Sequence, residues 1–504
     1  MTDVVSTAPR TGETVEVVAP GTTTEEVDRL CAAALAAAPG LDALGRPGRA
    51  ALLRALADAL EGRRDDVVAV ADRETALGTT RLNGELTRTC HQLRLFAEVL
   101  EEGSYLEATI DHVAQTAMGP RPDLRRVLVP VGPVAVFGAS NFPLAFSVPG
   151  GDTASALAAA CPVVVKAHSS HPATARLCFD VLVRAARQVG APEGTLGIVY
   201  GQQAGADLVA HPAIRAAGFT GSVGGGKALM RIIDQRPDPI SFFGELSSLN
   251  PVVVTPQAAA ERGDGIGREL VGSSTLGAGQ FCTKPGLAFV PAGPDGDRLV
   301  EAMAGAVGGI GAQVLLNEGI ARSYGRISDH LAAASGVEEA ARGGEPSGQG
   351  FEAVPRLLTT SARDLPQEVT EECFGPIAVV ARYDGERELF AALDAMPSSL
   401  TATVLRGEGE TDLPLAVSQE LRTRAGRLVY DAYPTGVAVS RAQHHGGPWP
   451  STNSQHTSVG TTAIRRFLRP VTWQGAPEEL LPEELTDGFL GIPRRVNGVL
   501  HLPT

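Results

Sequence analysis

The chain has 504 residues, and a single hydrophobic core stops growing at roughly 250–300 residues, so two or three packed units are expected. Apolar residues are 43% and charged residues 20%, the profile of an ordinary globular protein, which excludes disorder on the scale of a domain. The formal charge of −14, from 43 basic and 57 acidic side chains, argues against general binding to nucleic acid or to an anionic membrane.

Residues 22–100 read as helical, with apolar residues at helical spacing around Val27–Cys31 and Leu52–Leu56. Thr22–Thr24 offers a cap, and Glu25 and Glu26 suit a first turn. From residue 126 the pattern turns to β, with a β-rich run over Val127–Phe137 broken by turn residues. Helices are then predicted over Val148–Ala160, Ala173–Gln188, Asp207–Ala210 and Gly225–Asp234. Between them fall short strands at Val163–Lys166, Leu196–Tyr200 and Ala216–Thr220. Strands alternating with helices imply a parallel α/β sheet, which binds ligands at the carboxyl ends of its strands.

A second α/β unit is expected from residue 246, with Val252–Val254, a helix around Gly265–Thr275 and Leu287–Val290. Residues 335–352 read as an exposed connection, and the tail from Pro470, rich in Pro and Leu, as a candidate subunit contact. Residues 1–16 lack a basic segment followed by an apolar run, so no signal peptide is expected. Ala154–Val165, the most apolar stretch, is 12 residues long and too short to span a bilayer. The six scattered cysteines form no C-x-x-C pair, so reduced thiols in a soluble, cytoplasmic chain are expected.

Several short segments carry candidate chemistry. Gly277-Ala278-Gly279-Gln280-Phe281-Cys282-Thr283 lets the backbone approach a substrate beside a thiol, although a buried structural cysteine fits the same spacing. Glu245 follows the apolar run Ile240–Phe243 and suits a general base, or equally a solvated loop carboxylate. Asn141, just after a strand, is a candidate oxyanion donor or a turn residue. Lys166 at a strand's carboxyl end is placed to meet a nucleotide or simply solvent. Thr220-Gly221-Ser222-Val223-Gly224-Gly225-Gly226 follows a strand and opens a helix, a setting that suits phosphate, but it is neither the full dinucleotide fingerprint nor a Walker loop. His444 and His445 point different ways and have no acidic neighbour in the sequence, so no metal site is expected. The hydrolase elbow Gly-x-Ser-x-Gly is missing.

In order, Asn141, Lys166, the Gly221-Ser222 turn, Glu245, Cys282 and Glu372-Cys373-Phe374-Gly375-Pro376 resemble the aldehyde dehydrogenase superfamily over residues 20–470. Phe137–Asp152, Pro434–Val437, His445–Pro448, Thr457–Thr461 and Arg466–Pro470 are similar to the NADP-preferring branch of α-ketoglutaric semialdehyde (2,5-dioxopentanoate) dehydrogenases. The resemblance implies a Rossmann-like cofactor domain (1–110 and 131–245), an α/β catalytic domain (246–440) and bridging segments (111–130 and 441–504) that build a homodimer or homotetramer.

It further implies that Cys282 attacks the aldehyde, that Asn141 and the Cys282 N–H hold the oxyanion, and that Glu245 activates water against a thioester. Lys166, His168 and Ser169 are implied at the adenosine ribose of NADP or NAD, and Gly221, Ser222 and Gly226 at the pyrophosphate. Glu245, Leu246, Glu372 and Phe374 are implied at the nicotinamide end, with Phe142, Phe146, Phe281 and Thr283 lining the substrate pocket. Ser169 replaces the Glu that NAD-preferring members carry, which favours NADP because a carboxylate repels a 2′-phosphate. Lys284 stands where this branch commonly has Asn, at the expected substrate mouth. Lys284 and Arg441 are the candidate cations for a substrate's distal carboxylate. Three alternatives stay open: oxidation of aliphatic or other aldehydes by the same mechanism, transfer of the acyl group to coenzyme A, and a catalytically silent binding protein.

Overall fold

The computed structural model describes residues 3–503. The N-terminal helical region divides into Thr24–Ala43, Gly45–Glu61, Arg64–Thr75 and Thr79–Glu102. The first begins at a reciprocal capping box: Glu26 N donates to Thr23 Oγ1 at 3.2 Å, and Thr23 N to the Glu26 carboxylate at 2.9 Å. A hairpin of largely exposed strands, Asp3–Ala8 and Glu13–Pro20, precedes these helices and carries too little burial to announce itself as a periodic pattern.

Five parallel strands form the first sheet, in the order Ser241–Glu245, Ala216–Thr220, Val134–Phe137, Val163–Lys166, Leu196–Val199. Alternate side chains serve two cores. Val134, Val136, Val163 and Val165 pack with Leu52, Leu56, Leu86 and Phe96, while Ala135, Phe137, Val164 and Val199 pack with Val27, Cys31 and Leu208. Burial on both faces explains why these strands read as continuous apolar runs. The β-rich run predicted over Val127–Phe137 is divided at Gly132 (φ +114°) and Pro133 between two sheets. Its first part, in Leu124–Pro130, pairs antiparallel with Leu468–Gln474 in a separate five-stranded sheet that also holds Thr109–Asp111, Arg494–Val496 and Val499–His501. The tail therefore contributes strands.

The second unit is a seven-stranded sheet with Val252–Val254 and Leu287–Pro291 at its centre, again covered on both faces. Residues 335–352, expected as a bare connection, contain the strand Glu338–Arg342. This strand pairs antiparallel with Arg356–Ser361 at the sheet edge, where one-sided pairing leaves its charged residues in solvent. Helices start earlier than periodicity suggests at Gln202, Val223 and Pro256, because glycine and alanine in their first turns carry no apolar signal. The two segments of narrower resemblance meet where Arg466 donates to Asp152 at 2.7 Å in a largely buried ion pair. Among the described residues, no helix is long and apolar enough to cross a membrane.

Candidate active site

In the first sheet the strand that comes first in sequence, Val134–Phe137, lies between the second and the fourth, so connections leave it in both directions. Ligands bind at the carboxyl ends of strands at such a switch point. Asn141, Lys166, Gly221, Ser222 and Glu245 all fall at or just beyond those ends. A cleft of about 330 Å³ opens there, lined by Asn141, His168, Gly221, Ser222, Leu246, Cys282, Glu372 and Phe374. Candidate residues from both units thus line one cavity, whereas Lys166, Ser169, Gly226, Glu245 and Thr283 are not in its lining.

Cys282 sits on a loop held under backbone strain. Gly277, Ala278 and Gly279 are all left-handed (φ +56°, +58° and +66°), and alanine pays for that conformation. A side chain on Gly279 would place its Cβ 2.1 Å from the Gly375 carbonyl oxygen, so only glycine fits. Two amides brace the loop: Asn250 Nδ2 donates to the carbonyls of Cys282 (2.8 Å) and Lys284 (2.9 Å), and Asn141 Nδ2 donates to Gln280 O (2.9 Å). The Gln280 bond uses one Asn141 N–H and orients the amide beside the thiol, leaving the second N–H.

Glu245 is buried, and both its oxygens are bonded. Oε1 lies 2.9 Å from His445 Nε2, and Oε2 accepts from Ser458 Oγ at 2.7 Å. His445 Nε2 is also 3.6 Å from Cys282 Sγ. No acidic residue stands near His445 in the sequence, but an isolated bridge between Glu245 and Thr452 folds the segment 444–458 over the sheet end and supplies one. The expectation that the histidine pair lacks an acidic partner is corrected accordingly. Sulfur, imidazole and carboxylate lie within 4.8 Å of one another, a donor set suited to proton transfer and equally to a metal ion.

Burial pushes the Cys282 thiol well above the ordinary thiol value, and the neighbouring Glu245 pushes the same way. Burial also raises the Glu245 carboxyl, but His445, Ser458 and Cys282 outweigh it and hold Glu245 below the usual carboxylate range. The pair is a resting thiol beside an ionised base.

The remaining residues are placed as follows. Ser222 caps the helix Val223–Asp234 by accepting from Gly225 N at 3.1 Å. Gly226 lets Leu246 approach, since a Cβ there would meet Leu246 Cδ2 at 2.5 Å. Glu372 accepts from Ser247 Oγ (2.6 Å) and Ser248 N (3.3 Å), both on Oε2. Burial draws the Lys166 ammonium below the usual lysine range. Ser169 is exposed and lies off this cleft, in a neighbouring depression with Asn317, Gly319 and Gly12.

Phe142 packs edge-on against Phe146 (5.2 Å) and Phe281 (5.4 Å), forming one aromatic wall. Thr283 is fully buried and its Oγ1 accepts from Gly436 N, so it backs this wall and offers no surface to a substrate. Lys284 is not at the mouth either: it is buried, and Nζ donates to the carbonyls of Cys373 (2.8 Å), Gly375 (3.3 Å) and Ile377 (3.1 Å). Arg441 pairs with Glu98 on the surface at 2.9 Å. The cations at the aromatic wall are instead Arg81, over Phe281 at 4.4 Å, and Arg88, over Phe146 at 4.9 Å. With Glu85 they recur at i, i+4 and i+7 among the buried Leu82, Leu86 and Leu93, a charged interruption of a core face that is visible in the sequence.

The sequence pattern of the aldehyde dehydrogenase family matches residues 2–470. The alpha-ketoglutaric semialdehyde dehydrogenase of Acinetobacter baylyi is 44% identical over 486 residues, covering 95% of this chain and 92% of that protein. Alpha-ketoglutaric semialdehyde dehydrogenase 2 of Azospirillum brasilense is also 44% identical, covering 97% and 95%. Among solved structures, an aldehyde dehydrogenase C mutant from Pseudomonas syringae, in complex with NAD+ and octanal, superposes with a TM-score of 0.79 at 22% identity over 94% of each chain. An NADP-dependent enzyme of E. coli gives 0.78 at 24% identity, also over 94% of each. The match over nearly the whole chain, together with the α/β architecture, shows that this protein belongs to the aldehyde dehydrogenase family.

Proposed function

We propose that this enzyme oxidises 2,5-dioxopentanoate (α-ketoglutaric semialdehyde) to the corresponding dicarboxylate through a thioester on Cys282. The cluster of Cys282, His445 and Glu245, with Cys282 facing the switch-point cleft and the other two buried behind it, carries the chemistry. The substrate rests on two relatives of that name at 44% identity.

Cys282 sulfur attacks the aldehyde carbon while its proton passes to the ionised Glu245, to which His445 Nε2 donates. The second Asn141 N–H and the Cys282 backbone N–H are the donors for the oxyanion. When bound, a nicotinamide cofactor supplies the acceptor for the hydride leaving the adduct, and the thioester remains. With its first proton released to solvent, the ionised Glu245 takes a proton from water, which attacks the thioester. The C–S bond breaks, the acid leaves, and sulfur recovers its proton. A base held on both oxygens favours water as acceptor over coenzyme A, whose thiol needs no such base.

The chain's residues fit a dinucleotide. Ser222 caps only Gly225, so the Val223 and Gly224 N–H groups have no partner among the described residues at a helix start suited to a pyrophosphate. Glu372 keeps Oε1 for a ribose hydroxyl, with Phe374, Leu246 and Gly221 along the same cleft. Lys166, His168 and Ser169 are assigned to the adenosine ribose, Ser169 from the neighbouring depression, and a serine in place of a carboxylate at 169 supports use of NADP as well as NAD. We extend the proposal to a cytoplasmic homodimer or homotetramer. Six free thiols suit a reducing compartment, and the edge strand Val499–His501 exposes Val499 and Leu500 for pairing.

The test is a panel of 2,5-dioxopentanoate and unbranched aliphatic aldehydes with each cofactor. The expected result is the highest kcat/KM for 2,5-dioxopentanoate without coenzyme A. A preference for long aliphatic aldehydes, or an absolute need for coenzyme A, contradicts the proposal.

A further inference from the structure

Arg88 is a cation with no direct ion pair among the described residues, although the Glu85 carboxylate lies near enough to attract it. It lies on the inward face of the helix Thr79–Glu102, and its guanidinium stands over Phe146 (4.9 Å) and Phe142 (6.0 Å). It forms no hydrogen bond or ion pair among the described residues, and its Nη1 is buried without a partner. Arg81, seven residues earlier on the same face, also has a buried Nη1 without a partner, but its Nη2 is held by the Asn141 carbonyl at 2.7 Å, whereas no hydrogen bond holds Arg88. Glu85 lies between them but gives Oε1 to the backbone N–H groups of Leu144 (2.8 Å) and Ala145 (2.9 Å). Arg427, the other cation near the thiol, spends both Nη atoms on the carbonyls of Gly436 and Pro434. A buried charge left unpaired is costly and is retained where a ligand completes it.

The location fits one kind of ligand. Phe146 touches both Arg88 and His445, with ring centroids 6.2 Å apart in the second pair, and His445 Nε2 is 3.6 Å from Cys282 Sγ. Phe146 and His445 thus link Arg88 to the reacting thiol, and the guanidinium is near enough to favour the thiolate. In 2,5-dioxopentanoate the aldehyde carbon and the carboxylate carbon are four bonds apart, about 5 Å when extended. A carboxylate held at that distance from Cys282 has the Phe142–Phe146 wall, with Arg88 over both rings, as the cationic surface on that side.

We propose that Arg88 binds the distal carboxylate of the substrate and makes the enzyme selective for ω-oxo acids over uncharged aldehydes of equal length. This rests on the oxidation of a semialdehyde proposed above. A guanidinium donates two parallel N–H bonds to a carboxylate, and Arg88 Nη1 is a buried donor that the protein leaves without a partner.

The test compares kcat/KM for 2,5-dioxopentanoate and for pentanal in the wild type, Arg88→Gln and Arg88→Lys. The ratio of the two values does not depend on the folded fraction of a variant. In Arg88→Gln the ratio is expected to fall at least about tenfold, mainly through KM for the oxo acid, with Arg88→Lys recovering part of it. An unchanged ratio in Arg88→Gln, with the wild type preferring the oxo acid, overturns the role of Arg88 alone. A wild type that does not prefer the oxo acid over pentanal overturns the substrate assignment itself.

Discussion

His445 and Glu245, separated by 200 residues in the chain, meet with Nε2 2.9 Å from Oε1, and the same nitrogen faces the Cys282 sulfur. A single imidazole nitrogen thus stands between the candidate nucleophile and the candidate base. The Nδ1 side of the ring has no partner among the described residues, so all the polar contact of the ring is directed at the reacting pair.

Replacing His445 by Ala is expected to lower kcat by about a hundredfold or more, the usual scale of a lost proton-transfer partner. Steady-state formation of reduced cofactor, with circular dichroism to verify folding, measures this. Turnover close to that of the wild type contradicts a role for His445 in proton transfer.

The raised Cys282 thiol sets the pH response of the free enzyme. A thiol with an elevated pKa holds its proton longer as pH rises, so the thiolate fraction climbs at higher pH than for a free thiol, whose value is near ~8.5. The rate of iodoacetamide labelling at Cys282 is expected to keep rising above that pH, read by peptide mass mapping. Labelling that levels off below it shows that the thiolate is stabilised in the free enzyme. The other five cysteines are buried and are expected to label slowly.

Lys284→Met tests a structural role. Its Nζ satisfies the carbonyls of Cys373, Gly375 and Ile377 behind the Glu372 loop. Gly375 O also accepts from Ile377 N, so leaving the Cys373 and Ile377 carbonyls unmet is expected to cost about 2 kcal/mol or more, at about 1–3 kcal/mol for each buried orphan. A drop in Tm with an unchanged ratio of substrate preferences is the expected outcome. An unchanged Tm with altered KM returns Lys284 to the substrate mouth.

Much of the architecture was legible from residue pattern. The runs at Val134, Val163 and Ala216 form a parallel sheet because burial on both faces demands continuous apolar residues; Asn141 and Gly221-Ser222 follow two of those strands, and Glu245 ends the neighbouring strand Ser241–Glu245. The charged edge strand Glu338–Arg342 could not be read so, because one-sided pairing imposes no apolar face. Nor could the approach of His445 to Glu245, which depends on how the segment 444–458 folds back across the sheet end. Lys284 misled because its neighbours in sequence are site residues, whereas its side chain turns inward to carbonyls some 90 residues later in the chain. Arg81, Glu85 and Arg88 did leave a signal, as charges repeated on the apolar face of a helix.

The most direct test of the covalent route is intact-protein and peptide mass spectrometry of Glu245→Gln after mixing with aldehyde and cofactor. Removing the base for water is expected to leave an acyl adduct on the Cys282 peptide, accompanied by no more than one equivalent of reduced cofactor per site. Continued turnover without an adduct, or an adduct on another residue, contradicts a thioester at Cys282 hydrolysed by Glu245.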